Sequence, residues 1–184
     1  MISEITLKLD KLPPGNSALV VAHYAGIQDC LNDVLVAMKH PLFTCEMMDD
    51  IILNCTRNNK KYDSYRYFIK GEPRALLMLE LRADTTSELD LKQRLLIEDL
   101  QKSGRSYHQT RLTGDAINKA LELRKAGLGL LGNMVGDEKA VACIEDTAVA
   151  LSDLPGYIDD FHRIMEANGQ RAVYYAHAGA GELH

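Results

Sequence analysis

The stretch Ala75-Leu-Leu-Met-Leu-Glu-Leu-Arg-Ala-Asp-Thr-Thr-Ser-Glu88 decides the fold class. Ala75 to Leu81 is an apolar run of strand length. Thr85-Thr-Ser-Glu88 then has the spacing of a capping box, whose hydroxyl and carboxylate satisfy free N–H groups in a helix's first turn. Leu89, Leu96 and Leu100 mark the buried stripe of that helix, Gly104 ends it, and Tyr107 to Leu112 returns as a strand. A strand-helix-strand unit results, with the helix laid over the sheet that its strands join.

A similar unit precedes it. Ile2, Ile5, Leu7 and Leu9 alternate as in a strand, Leu7 to Leu12 continues the apolar character, and Pro13-Pro14 with Gly15-Asn16 break the backbone. Ala18 to Ala25 reads as a strand. Ile27, Leu31, Val34, Leu35 and Met38 fall at helical spacing, Pro41 ends that helix, and Cys45 to Met48 is a short strand. Repetition of the unit predicts an α+β fold: a largely antiparallel sheet with helices on one face, ferredoxin-like in its strand-helix-strand pieces.

From Ile51 to Lys70 the pattern weakens. Tyr62, Tyr65, Tyr67 and Phe68 are interleaved with Lys60, Lys61, Arg66 and Lys70, a mixture able to stack on and neutralise a nucleic acid. The overall acidity favours a solvated hairpin or loop whose aromatics pack on the sheet.

Asp115 begins another helical pattern, with Ile117, Leu121 and Leu128 near one face and Arg124 within it. It runs into Gly127-Leu-Gly129-Leu-Leu-Gly132, formally G-x-G-x-x-G. A dinucleotide site needs a strand before these glycines and a helix opening on them, whereas the residues before them read as helix. A loosening helix end and a loop are expected. Lys139 to Val149 reads as a strand interrupted by Glu145-Asp146. Ser152 or Asp153 caps a helix with Leu154, Tyr157, Ile158, Phe161, Ile164 and Met165 inward, and Asn168-Gly169 closes it.

A chain of 184 residues has the size of one domain. Apolar residues at 46% and charged residues at 26% are ordinary globular values, and no apolar run approaches the roughly 20 residues of a membrane span. The net charge of −5 gives no general attraction for nucleic acid or anionic lipid, which moves the expectation toward small-molecule work. Cys30, Cys45, Cys55 and Cys143 are scattered without a C-x-x-C pair, and no secretory leader starts at Met1, so a reduced cytoplasmic compartment is expected. The chain opens within an apolar alternation and stops on His184, and it reads as one truncated domain, residues 1–184, of a larger enzyme.

The apolar run Ala172 to Ala176 reads as a buried strand leading into His177-Ala-Gly-Ala-Gly-Glu-Leu-His184. The odd spacing of the two histidines would aim them at opposite faces of an unbroken strand. Gly179 and Gly181 permit a turn or bulge that brings the rings together. A convergent His/Glu/His cluster suits a divalent metal or an anionic substrate, and a plain turn with surface histidines is the alternative.

The segment Ile144-Glu-Asp-Thr-Ala-Val149, the helical stretch after it, and His177-Ala-Gly-Ala-Gly-Glu-Leu-His184 resemble the C-terminal substrate (cap) domain of FAD-linked oxidases of the D-lactate dehydrogenase, glycolate oxidase and D-2-hydroxyglutarate dehydrogenase type. Ile2-Ser-Glu-Ile-Thr-Leu7 resembles the strand after the flavin domain, and Leu123-Arg-Lys-Ala-Gly-Leu-Gly-Leu-Leu131 an arginine-bearing segment of that family. The resemblance implies a flavin-dependent oxidation of a 2-hydroxy acid, with FAD bound mainly by another domain of the same polypeptide. It places Gly179 and Gly181 beside the flavin ring, and makes His177 and His184 the catalytic imidazoles and the ligands of a divalent ion such as zinc. A further metal ligand is expected downstream of His184.

Arg124 matches an arginine that clamps the substrate carboxylate, a role suited to a planar fork; as a bare residue it also reads as a helix-surface arginine paired with Glu122 or Asp115. Glu145 and Asp146 either support the site from behind or lie on a solvated strand edge. Two departures stand out: the family pattern has an acid at the position of Ala180 and an asparagine at that of Glu182. An amide donates to a substrate oxygen, whereas an ionised Glu182 only accepts. The Ala-Gly-Glu-Leu-His variant resembles large members that carry an iron–sulfur cluster in the same polypeptide, and these can lie peripheral to a membrane. The rival expectation is a ferredoxin-like ligand- or RNA-binding regulatory module without catalysis.

Overall fold

A computed structural model describes residues 4–134 and 136–184. Strand β1 (Asn16–Tyr24), helix α1 (Ile27–Ala37) and strand β2 (Leu42–Asp49) form the first unit; strand β3 (Ala75–Ala83), helix α3 (Thr86–Ser103) and strand β4 (His108–Thr113) form the second. Between them lie helix α2 (Asp50–Cys55) and a 3-10 segment, Asp63–Phe68. After β4 come helix α4 (Asp115–Leu130), the two-residue strand β5 (Thr147–Ala148), helix α5 (Leu154–Ala167) and a terminal hairpin of β6 (Tyr175–His177) and β7 (Glu182–Leu183).

The seven strands among the described residues join one sheet in the order β4-β1-β3-β2-β6-β7-β5, and every pairing is antiparallel. The first four strands have the 4-1-3-2 arrangement that two strand-helix-strand units produce when they interleave, so the ferredoxin-like expectation holds. Period-2 alternation separates two buried layers. Val20, Ala22, Leu77, Leu79, Cys45 and Met47 face α1, α3 and α5. Leu19, Val21, Leu76, Met78 and Met48 face the other way, toward Ile52 and Leu53 of α2 and Ile117, Ala120 and Leu123 of α4. The helices of the two repeated units thus share one face, and α2 and α4 cover the second. Full burial of each valine, leucine, isoleucine or methionine among them contributes roughly 1.5–3 kcal/mol.

Local signals explain the better-read elements. The Thr85 hydroxyl accepts from the Glu88 N–H at 3.2 Å, and Gly104 ends α3 in the left-handed region. Asp33, fully buried on α1, accepts from Tyr24, Ser103 and Arg105, which ties both strand-helix-strand units together. Asp153 stands at the start of α5, but neither its side chain nor that of Ser152 caps the helix; Ser152 Oγ donates to Asp153 Oδ1 instead.

Several expectations need correction. Residues 4–13 form no strand and are exposed, Leu12 at 93%, because none of the described strands pairs with their alternation; Ile2 lies outside the described residues. The segment from Ile51 is helical rather than a hairpin, since Asp49 caps α2 by accepting from the Ile52 N–H at 3.0 Å. Tyr65 packs into the α2/α4 layer and the Tyr67 hydroxyl donates to the Ala116 carbonyl, so these rings brace α4. Gly127 and Gly129 lie inside α4, where Gly127 approaches Ile52; the glycine pattern is a helix contact and does not follow a strand. Leu128 lies outside the described side chains. The strand expected over Lys139 to Val149 shrinks to β5, because Asp146 adopts a left-handed φ of 56° that breaks extension. The run from Ala172 enters the ladder only at Tyr175.

A candidate active site at the terminal hairpin

The site grows from the pairing of β2 with β6. Met47 lies opposite Ala176 and Met48 opposite Tyr175; the same register carried one residue further sets Glu46 across from His177. Asp49 locks that register by accepting from the Tyr174 N–H at 2.8 Å while its own N–H donates to the Tyr174 carbonyl. Burial pushes the Asp49 carboxyl up to about 6, against the backbone N–H groups that favour its ionised form. Alternation then turns Glu46, Met48, Tyr175 and His177 toward the layer that contains α4.

Beyond His177 the chain makes a 3-10 turn, Ala178–Ala180, and reverses through Gly181 at φ 71°. Any Cβ at Gly181 would stand 2.2 Å from the Val149 carbonyl oxygen, and one at Gly179 only 2.9 Å from Cys45 Cβ, so both positions require the missing side chain. Reciprocal backbone bonds of 3.0 and 2.8 Å between Tyr175 and His184 close the hairpin. The odd histidine spacing is thereby folded back: the two rings meet edge to face with centroids 5.6 Å apart. Glu182 joins them, and donor atoms of His177, Glu182 and His184 all lie within 4.8 Å of one another, the one such group of three among the described residues.

The two imidazoles are held differently. His177 Nδ1 lies 2.9 and 3.1 Å from the Glu46 carboxylate oxygens. His184, buried to 9% exposure, stacks on Tyr175 with centroids 4.4 Å apart and planes 10° from parallel. Its Nε2 is buried without a hydrogen-bond partner, with Glu182 Oε1 at 3.5 Å. Asp146 Oδ1 and N–H lie 3.4 and 3.5 Å from its Nδ1, long contacts that leave the tautomer free.

Arg124 reaches this hairpin from α4. Its guanidinium pairs with Glu46, both groups largely buried, and stands 5.8 Å from the Tyr175 ring. The helix-surface pairing weighed for it is not formed: Glu122 pairs with Lys61 and Asp115 with Lys119. Arg124 Nε is buried without a partner, and Arg124, Lys125, Tyr175 and His177 line a cavity of about 210 Å³ with Met48 and Ile52. A second cavity of about 460 Å³ adjoins the other side of the hairpin, where Glu145 and His184 share the wall with Phe161 and Met165. Glu145 therefore reaches the site's surroundings, while Asp146 is 77% exposed beside His184. Burial raises the Tyr175 hydroxyl's pKa, with Glu145 adding to the effect.

The four cysteines do not form one centre. Cys30 and Cys45 are core thiols, that of Cys45 pushed up to about 12 by burial; Cys55 is half-buried and Cys143 exposed.

Comparison with known proteins bears on this arrangement. The family model of the FAD linked oxidases, C-terminal domain, matches residues 13–184. The chain belongs to this family. Relatives named D-2-hydroxyglutarate dehydrogenase are 28% identical in Pseudomonas putida, 27% in Pantoea ananatis and 26% in Escherichia coli, over 98%, 100% and 100% of this chain. The chain spans only 19% of each relative's length. Glu46 and Tyr175 are the members of this candidate site that sequence reasoning missed. Glu46 had a signal, a lone charge in the apolar stretch Cys45 to Met48; Tyr175 was hidden inside an apolar run.

Proposed function

We propose that this chain is the substrate-side domain of an FAD-dependent dehydrogenase or oxidase acting on a 2-hydroxy acid, with 2-hydroxyglutarate, D-lactate and glycolate as the candidate substrates. The observation that carries the reading is the convergence of His177, Glu182 and His184 beside Arg124. The relatives' name supports 2-hydroxyglutarate within that class.

Flavin, bound by another domain of the same polypeptide, supplies the two-electron acceptor for the carbon that bears the hydroxyl. The chain's own residues hold and orient the acid. Arg124 lines the cavity and offers the part of its fork that Glu46 leaves free to the substrate carboxylate, with Lys125 adding positive charge at the same cavity. Gly179 and Gly181 let the turn close down on Cys45 and Val149, and so shape the backbone beside which the flavin would lie. An imidazole of the pair accepts the hydroxyl proton as the carbon–hydrogen bond breaks.

The residues also fit a divalent ion such as zinc. Two imidazoles and a carboxylate are a zinc donor set, and the unpartnered Nε2 of His184 is a buried atom in want of a ligand. His177, Glu182 and His184 would hold the ion, which would supply charge to the substrate's oxygens; an imidazole that holds the ion has no lone pair for the hydroxyl proton, so an imidazole serves as the base only where no ion is bound. Asp146 and Glu145 would act from behind His184 and Tyr175. The four cysteines of this chain are not suited to an iron–sulfur cluster, so any such centre would belong to another part of the polypeptide.

The test is anaerobic mixing of the purified full-length flavoprotein with each of the three acids, followed by flavin bleaching. One acid should bleach the flavin in the wild type and fail to do so in His177→Ala. Bleaching by none of them, in a protein that retains its flavin, would overturn the reading.

A further inference from the structure

Glu46 is the junction of the site. It lies one strand away from the hairpin, accepts from His177 Nδ1 at 2.9 Å, and pairs with the Arg124 guanidinium from the helix layer. No other described side chain has a hydrogen bond or ion pair to both groups. Resting on the proposed hydroxy-acid site, we infer that Glu46 is a positioning residue that sets the tautomer and aim of His177 and, in the same stroke, the orientation of the Arg124 fork.

An ionised carboxylate accepts and cannot donate, so both contacts require a proton on the partner nitrogen. His177 therefore carries its proton on Nδ1 and leaves the Nε2 lone pair for the site, the arrangement in which a carboxylate behind an imidazole orients it toward an ion or a reacting proton. Glu46 can do this because β2 and β6 place it opposite His177, while the Asp49 bonds to Tyr174 prevent the register from slipping. The pairing with Arg124 fixes one end of the guanidinium and leaves Nε unpartnered. A change at Glu46 should therefore disturb imidazole and clamp together, although Glu46 belongs neither to the His/Glu/His cluster nor to the lining of the cavity.

Two variants of the full-length protein test this, Glu46→Gln and Glu46→Asp, with affinity for Co²⁺ read from its absorption spectrum alongside KM, kcat and thermal unfolding. Glu46→Gln keeps the shape but loses the charge that both donors share. It should weaken Co²⁺ binding by tenfold or more, as loss of a carboxylate behind a ligating histidine does, and raise KM, with Tm near wild type. Glu46→Asp, which keeps the charge, should recover part of both. In a His177→Ala background, Glu46→Gln should bring no further loss of Co²⁺ affinity. Unchanged Co²⁺ affinity and KM in Glu46→Gln, or a fall in Tm alone, would overturn the inference. The site proposal fails separately, if the wild type neither binds Co²⁺ nor oxidises a 2-hydroxy acid.

Discussion

His184 lies flat on Tyr175, ring centroids 4.4 Å apart and planes 10° from parallel, and the same tyrosine ring has the Arg124 guanidinium 5.8 Å from its centre. One aromatic ring thus sets the depth of an imidazole and steadies a cation, a contact worth about 1 kcal/mol for each partner. Tyr175→Phe should keep kcat/KM within about threefold, since the ring remains, whereas Tyr175→Ala should lower it by roughly tenfold or more. Steady-state kinetics of the two variants check this. Equal losses would assign the effect to the hydroxyl.

The hairpin's reversal depends on Gly181. Alanine there would adopt a left-handed φ and stand 2.2 Å from the Val149 carbonyl oxygen. The cost should be roughly 2 kcal/mol or more, lowering Tm and detaching His184 from its partners. Thermal unfolding monitored by circular dichroism measures it, and an unchanged Tm would contradict the turn described here.

Arg124→Lys keeps a charge near the cavity and loses the fork. Losing one charge-assisted bond to a bound carboxylate costs on the order of 2 kcal/mol, equivalent to about a thirtyfold rise in KM. A KM equal to wild type would remove Arg124 from substrate binding.

Asp49 gives the fold a pH dependence of known sign. Its carboxyl is raised from the ordinary 3.8 to about 6, so between those values the folded protein holds the proton more tightly than the unfolded chain. Its contribution is present below about pH 4 and is lost as pH rises through about 6, by an amount on the order of 3 kcal/mol. Urea unfolding of wild type and Asp49→Asn at pH 4, 5, 6 and 7 isolates it: the wild type should lose stability relative to the variant over that range. Parallel curves would contradict the assignment.

How far the sequence could be read follows the distance over which each signal acts. The Thr85 cap and the helical spacing of α1 act within one turn, and both appear where expected, although the Glu88 carboxylate pairs with Lys92 instead of closing the capping box. The His-x-Gly-x-Gly-x-x-His turn also reads locally, because the odd spacing makes sense only if glycine reverses the chain. Glu46 could not be placed, since its partner His177 is 131 residues away and becomes a neighbour only through sheet register. Lys139 to Val149 misled for the opposite reason. Its apolar content suits a strand, but Val141 at 79% exposure has no layer to cover, and the left-handed Asp146 leaves two residues in the ladder.

The most direct test of the account is the activity and Tm of His177→Ala, His184→Ala and the double variant in the full-length flavoprotein, with the oxidised acid as substrate. Each single change should remove most of the activity with little change in Tm, and the double variant should be scarcely worse than either, because groups that act as one unit are not additive. Losses that multiply, or a fall in Tm with activity retained, would contradict a shared site for the two histidines.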